Sequence, residues 1–162
     1  MADVYAFLEL EGVEGEAQDS EYQGKIELQS FSWGASNNSS YAVGTGSGIS
    51  KGHIHDISFS KYTCKASLRL FERAVTGKPV PKGKLSLLKL TGDKKIPYFV
   101  VDLENVVVTS YQIAAHSDGQ LPTESSTIHF VIAKSKYQPQ GNEGDPSGNV
   151  DFGWNLQKNA PA

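Results

Sequence analysis

Residues 31–67 read FSWGASNNSSYAVGTGSGISKGHIHDISFSKYTCKAS, and the way this stretch divides decides the fold. Two β-type runs, residues 31–34 and 53–62, flank a segment rich in Asn, Ser and Gly. Gly44, Gly46 and Gly48 carry no Cβ, so ordering that segment costs more backbone entropy than ordering any other residue type would. A loop this long inside a small domain is either disordered or used. In the second run Ile57 and Phe59 point one way while Asp56, Ser58 and Ser60 point the other, the alternation of a strand with one polar face.

Upstream, residues 4–10 (VYAFLEL) read as a short strand closed by Gly12 and Gly15, with an acidic surface turn at 14–21. Residues 25–34 form a second strand whose phase slips. Ile26 and Leu28 share one face and Phe31 and Trp33 the other, which calls for a bulge or for cover on both faces.

Downstream, Leu68, Phe71 and Val75 recur at helical spacing, widened by Leu70 and Ala74. With Ser67 as N-cap and Gly77 and Pro79 as stop, one helix is predicted at about 68–76. Strands resume at 84–90, turned by Thr91, Gly92 and Asp93. Residues 96–113 would span about 60 Å as one straight strand, so a break or bend is expected near Glu104 and Asn105. After a turn region at 114–123, residues 127–137 alternate. Ile128, Phe130 and Ile132 face one way; Thr127, His129, Ala133 and Ser135 face the other. An irregular connection at 138–149 leads to a last strand bearing Phe152 and Trp154. Six to nine strands against one helix give a mainly β class: an antiparallel β-barrel or two-sheet sandwich with one flanking helix, in a single domain spanning 1–162.

Composition narrows the function. With 38% apolar and 20% charged residues the chain has the makings of a core, and a formal charge of −3 with scattered Lys and Arg argues against nucleic-acid binding. Cys64 is the only cysteine, which excludes an internal disulfide and a Cys-based zinc cluster and suits a reducing compartment. The N-terminus lacks a signal-peptide pattern and no run reaches the ~18 apolar residues of a membrane helix. Synthesis in the cytoplasm is expected, with any export needing no cleaved signal.

Catalytic candidates fail one by one. His53 and His55 could face a metal from one strand, but no third ligand has a recognisable spacing. Cys64 lacks an evident base, the GTGSG stretch lacks the Gly-Lys-Ser/Thr ending of a phosphate loop, and Asp102 with Glu104 is a pair expected by chance. Trp33 and Trp154 could stack on sugars but sit in hydrophobic strand contexts. The expectation is no enzyme, no cofactor and no metal, and a sheet covered on both faces points to assembly.

The stretches AFLELEGVEGEAQDS (6–20), IELQSFSWGAS (26–36), HDISFSKYTCKAS (55–67), LENVVVTSYQ (103–112), TESSTIHFVIAKSKYQPQ (123–140) and FGWNLQKN (152–159) resemble, in order, the Hcp family of type VI secretion tube proteins. The resemblance covers essentially the whole chain and rests on Phe31, Trp33, Gly34, Asp56, Phe59, Lys61, Tyr62, Ser67, Gly153 and Trp154. Two positions depart from it: an acidic residue is usual where Cys64 stands, and a proline where Leu68 stands. The resemblance implies a phage-tail-tube-like domain assembling as a homohexameric ring. Such rings stack into a tube, surrounded by contractile sheath proteins, tipped by a VgrG-type spike and able to carry small effector proteins in the lumen. It also implies secretion through that apparatus. On this reading Asn37, Asn38, Ser39, Ser40, Tyr41, Gly44, Gly46 and Gly48 belong to a ring-stacking loop. Ser58, Ser60, Thr109, Ala114, Ala115 and His116 are the lumen-facing candidates. A bacteriophage-type tail tube protein is the first alternative, and a carbohydrate-binding β-sandwich the second.

Overall fold

The computed structural model describes residues 4–37, 52–139 and 148–162. Along the chain these form β1 (Val4–Leu10), β2 (Ile26–Leu28), β3 (Ser30–Ser32), β4 (Ala35–Ser36), β5 (His53–Ile54) and β6 (Ile57–Tyr62). There follow α1 (Ser67–Thr76), β7 (Val80–Thr91), β8 (Lys94–Ala114), β9 (Thr123–His129), β10 (Ile132–Tyr137), β11 (Val150–Asn155) and β12 (Ala160–Pro161). The strand number exceeds the six to nine expected because long β runs are cut at corners and two-residue pieces flank them.

Every strand pairing is antiparallel. One layer runs β12-β11-β10-β8-β7-β1-β2, and a second runs β8-β9-β6-β3. β8 belongs to both. Its first half lies between β7 and β10, and from Val107 onward it pairs with β9. The expected bend falls at Asn105, whose φ of 54° is a left-handed conformation that Asn tolerates better than most residues. The phase slip in 25–34 is the opposite corner. β2 pairs with β1 and β3 with β6, while the N–H of Gln29 between them donates to the Ser60 carbonyl. Among the described residues the two layers meet at these two corners, a sandwich rather than a closed barrel.

The core fills the space between the layers. Leu8, Leu10, Ile26, Leu28, Leu85, Val101 and Leu103 from one side meet Ile57, Phe59, Val108, Ile128 and Phe130 from the other. A smaller cluster of Phe7, Ala17 and Leu88 lies on the outer side of β1 and β7, with Tyr22 stacked on Phe7 at 4.9 Å. Part of the acidic turn is therefore structural cover, since Ala17 is buried.

Three expectations need correction. The alternation across 127–137 does not run through, because the strand begins at Thr123 and breaks after His129. There the Val131 N–H donates to the Glu104 carbonyl at the β8 corner. The phase resets across the break, and Ala133 rather than Ile132 reaches the core. The helix also docks by one edge of the expected stripe, Leu70 and Ala74, and not by its centre. Leu68 and Val75 are 78% and 73% exposed, Phe71 is half exposed against Tyr111, and the docked residues are Ala66, Ser67, Leu70 and Ala74. Nor is Ser67 the cap: Ala66 occupies that position without a side-chain cap bond, and Ser67 opens the helix. The stop is as expected, with Gly77 at φ 69° and its N–H donating to the Arg73 carbonyl.

This docking predicts that Leu70→Ala costs about 2–5 kcal/mol in urea unfolding, as for a fully buried leucine. Leu68→Ala costs less than about 1 kcal/mol, as for an exposed position.

Candidate functional site

The layer β3-β6-β9-β8 carries two contrasting faces. Its inner side is core. Its outer side, set by the period of two, presents Ser30 and Ser32 from β3, Ser58 and Ser60 from β6, Ser125 and Thr127 from β9, and Thr109, Ser110 and Gln112 from β8. The register lines these up across strands: Ser30 opposite Ser60, Ser32 opposite Ser58, Ser58 opposite Thr127, and Ser60 opposite Ser125. They line a shallow groove of about 350 Å³. Small β-branched and hydroxyl side chains are compatible with a strand and leave the backbone surface nearly flat.

Five of these hydroxyls bond to one another. Ser30 and Ser60 are 2.5 Å apart, Thr109 and Thr127 2.6 Å, and Ser110 and Thr127 2.7 Å. Thr109 also donates to Asp56 Oδ2 at 2.9 Å, and His129 Nδ1 lies 2.8 Å from Asp56 Oδ1. Each hydroxyl has one proton. With Thr109 committed to Asp56, Thr127 donates to Thr109 and Ser110 to Thr127. The chain of donors therefore ends on one carboxylate, met from the other side by an imidazole.

Beneath this layer lies a buried cluster of which the sequence reading named Lys61 and Ser67 but not Glu124. Lys61 continues the inward face of Ile57 and Phe59, and Glu124 opposes it directly on β9. Their side chains are 0% and 1% exposed and 3.0 Å apart. Lys61 Nζ also donates to the Tyr62 carbonyl, to Ser67 Oγ at 3.0 Å and to Cys64 Sγ at 3.3 Å. Ser67 Oγ accepts the Cys64 N–H at 2.9 Å and donates to Glu124 Oε2 at 2.5 Å. Lys61 has three protons for these acceptors, so Glu124 Oε1 is held by the ammonium charge rather than by a hydrogen bond of its own. Burial by itself would raise the Glu124 carboxyl. Ser67, the nearby Tyr111 phenol and the Lys61 ammonium together hold it below its ordinary range. Tyr111 goes the other way: burial, then the Glu124 carboxylate, push its phenol up.

The residues singled out in the sequence separate into groups. Ser58, Ser60 and Thr109 are brought together on the hydroxyl face. Ala114 ends β8, and Ala115 and His116 follow it, all exposed. Asn37 directly follows β4, whereas Asn38, Ser39, Ser40, Tyr41, Gly44, Gly46 and Gly48 lie outside the described residues. The two-stranded ribbon β4–β5 pairs Ala35 with Ile54 and Ser36 with His53, so the flanks of that segment run side by side.

Among the resemblance residues, Phe59 is core, Phe31 packs against it, and Asp56 anchors the donor chain. Trp33 packs edge-on to Phe130 and donates its indole N–H to the His55 carbonyl; Gly34 accepts the His55 N–H. Lys61 and Ser67 belong to the buried cluster, and Tyr62 is 48% exposed. Gly153 is required sterically, since a Cβ there would sit 2.5 Å from the Ala162 carbonyl oxygen. Trp154 is partly buried and stacks on Phe152.

A family model described as type VI secretion system effector, Hcp, matches residues 7–137. Protein hcp1 of Pseudomonas aeruginosa is 32% identical over 157 residues, covering 96% of this chain and 97% of that one. A solved structure of a type six secretion system protein superposes with a TM-score of 0.91 at 28% identity, covering 99% of this chain and all of the other. Hcp1 from Salmonella typhimurium shares the fold at a TM-score of 0.81 and 24% identity, with both chains covered in full.

The buried pair predicts a stability pattern. Glu124→Ala strands the Lys61 charge and costs about 3–5 kcal/mol, whereas Lys61→Met with Glu124→Leu restores most of it. Because the folded Glu124 carboxyl lies below its ordinary value of 4.5, the unfolded chain takes up its proton first as pH falls. The stabilisation is therefore present at neutral pH and lost through and below that value. Urea unfolding followed from pH 7 to pH 3 should show a shallower acid decline in Glu124→Gln than in the native chain.

Proposed function

The chain belongs to the Hcp family of type VI secretion proteins, and on that premise we propose that it is the structural subunit of the secretion tube. Six copies close a ring, rings stack into the inner tube, and a contractile sheath expels that tube behind a VgrG-type spike. The subunit is made in the cytoplasm and leaves through the apparatus itself. The lumen carries small effector proteins.

The observation that carries this reading is the β3-β6-β9-β8 layer. It is an antiparallel sheet with one core face, one small-hydroxyl face and two open edges. Among the described residues β3 pairs only with β6, and the second half of β8 only with β9. An open strand edge is a template for pairing with another chain. Copies set side by side around an axis would join such layers into a continuous wall whose hydroxyl face is the channel lining, with Ser58, Ser60 and Thr109 on it and Ala114, Ala115 and His116 at one end.

Self-association would also cover apolar side chains that a monomer leaves exposed. Leu68 and Val75 lie on α1, and Tyr137, Val150 and Phe152 on β10 and β11. Nothing in this assembly calls for a catalytic group, which fits a non-enzymatic role. Among the described residues no helix is long and apolar enough to cross a membrane.

The segment 37–52 is assigned to the contact between rings. Its flanks are paired in the β4–β5 ribbon. Six weak contacts per ring would add through multivalency.

Negative-stain electron microscopy of the purified protein should show six-fold rings, and a strictly monomeric protein at high concentration would overturn the proposal. Deleting residues 39–47 should leave the rings intact and shorten their stacks. Loss of the rings themselves would move this segment to the lateral interface.

A further inference from the structure

Lys61 and Cys64 meet at the edge of the buried cluster in a geometry that the tube role does not use. Lys61 Nζ donates to Cys64 Sγ at 3.3 Å, and two atoms poised to react stand roughly 3–3.5 Å apart. The other protons of the ammonium group go to the Tyr62 carbonyl and to Ser67 Oγ. The Lys61 side chain is fully buried, so these contacts fix the nitrogen beside the sulfur. Glu124 Oε1 lies 3.0 Å from the same nitrogen and accepts no hydrogen bond. It is an open acceptor for a proton leaving the ammonium group. Cys64, by contrast, is only partly buried. It borders a groove of about 530 Å³ lined also by Ala17, Leu28 and Tyr62, which gives a small solute a path to the sulfur.

We propose that Cys64 and Lys61 form a peroxide-responsive cross-link, a direct covalent bond between Sγ and Nζ. The co-reactant is hydrogen peroxide. The thiol sulfur attacks one peroxide oxygen, the O–O bond breaks, and water leaves. Cys64 becomes a sulfenic acid, its sulfur oxidised by two electrons and the peroxide reduced by two. A sulfenic acid condenses with a nitrogen held beside it. Lys61 passes one proton to Glu124 Oε1, and the freed lone pair attacks Sγ. The S–N bond forms as the S–O bond breaks, and the departing hydroxide takes a second proton from nitrogen to leave as water. The chain loses two hydrogens in all. The ammonium charge is gone and Glu124 is left protonated, so the ion pair beneath α1 becomes a neutral pair. Lys61 and Glu124 both bond to Ser67, the first residue of the helix, so the joint between α1 and the small sheet becomes sensitive to oxidation.

The test treats the full-length protein with hydrogen peroxide, caps remaining thiol with iodoacetamide, and digests with trypsin in the absence of reductant. Mass spectrometry should find the peptide 52–65 uncut after Lys61 and lighter than its reduced form by about 2 Da. Dithiothreitol should restore both the thiol and the cleavage. The double variant Lys61→Met with Glu124→Leu lacks the nitrogen, and should instead gain about 16 to 48 Da of oxygen on Cys64. Cys64→Ser should be cut after Lys61 at every peroxide dose. A native protein still cut after Lys61, with Cys64 carrying added oxygen or remaining open to iodoacetamide, would overturn the proposal without recourse to any variant. So would the loss of two hydrogens with Lys61 still cut, which would place the bond on a backbone nitrogen. The readout is a peptide mass, independent of whether rings form.

Discussion

The architecture depends on a strand that serves two layers. β8 runs 21 residues from Lys94 to Ala114, about 70 Å if straight, which no domain of this size could contain. It must bend, and it does so at Asn105, where a left-handed backbone hands the strand from β10 to β9. The neighbours follow. The β9–β10 chain breaks opposite the same corner, with the Val131 N–H closing on the Glu104 carbonyl. On the far side β2 passes to β3 through Gln29. A single geometric demand thus divides the chain into one broad sheet and one four-stranded sheet, and it is the smaller of these whose outer face is built mainly from hydroxyls.

What holds the small sheet to the helix is the Lys61–Glu124–Ser67 cluster. It lies under the N-terminal end of α1 and explains why the helix docks with Ala66, Ser67, Leu70 and Ala74. The cluster takes the Ser67 end of the helix, and Leu70 packs into the apolar core beside it. The apolar stripe is left outward, where an assembling subunit would need it.

This is also where the sequence was hardest to read. β1, the position of the helix and its Gly77 stop were legible because alternation, helical spacing and a φ-positive glycine are local signals. The β8 bend was legible from length alone. The helix face was legible in part: Leu70 and Ala74 dock as their spacing implies, while Leu68, Phe71 and Val75 do not, since spacing identifies the most apolar stripe but says nothing of what lies beneath. The buried pair did leave a trace. Lys61 falls in phase with Ile57 and Phe59, and Glu124 in phase with Ser126 and Ile128. Two opposite charges each occupying a core phase have little option but to find one another. Of the candidate surface, Ser58, Ser60 and Thr109 were readable as polar faces. Their union with Ser30, Ser125 and Thr127, and the termination of the donor chain at Asp56, required the pairing register of strands distant in sequence.

The account comes down to orientation: which face of which sheet looks toward the axis when copies assemble. A cryo-electron microscopy map of the assembled protein at side-chain resolution decides it. The account predicts Ser58, Ser60, Thr127 and Asp56 on the channel wall, with β3 of one subunit beside the second half of β8 of the next. A map that turns these side chains to the outer surface, or buries them between subunits while another sheet lines the axis, would contradict it.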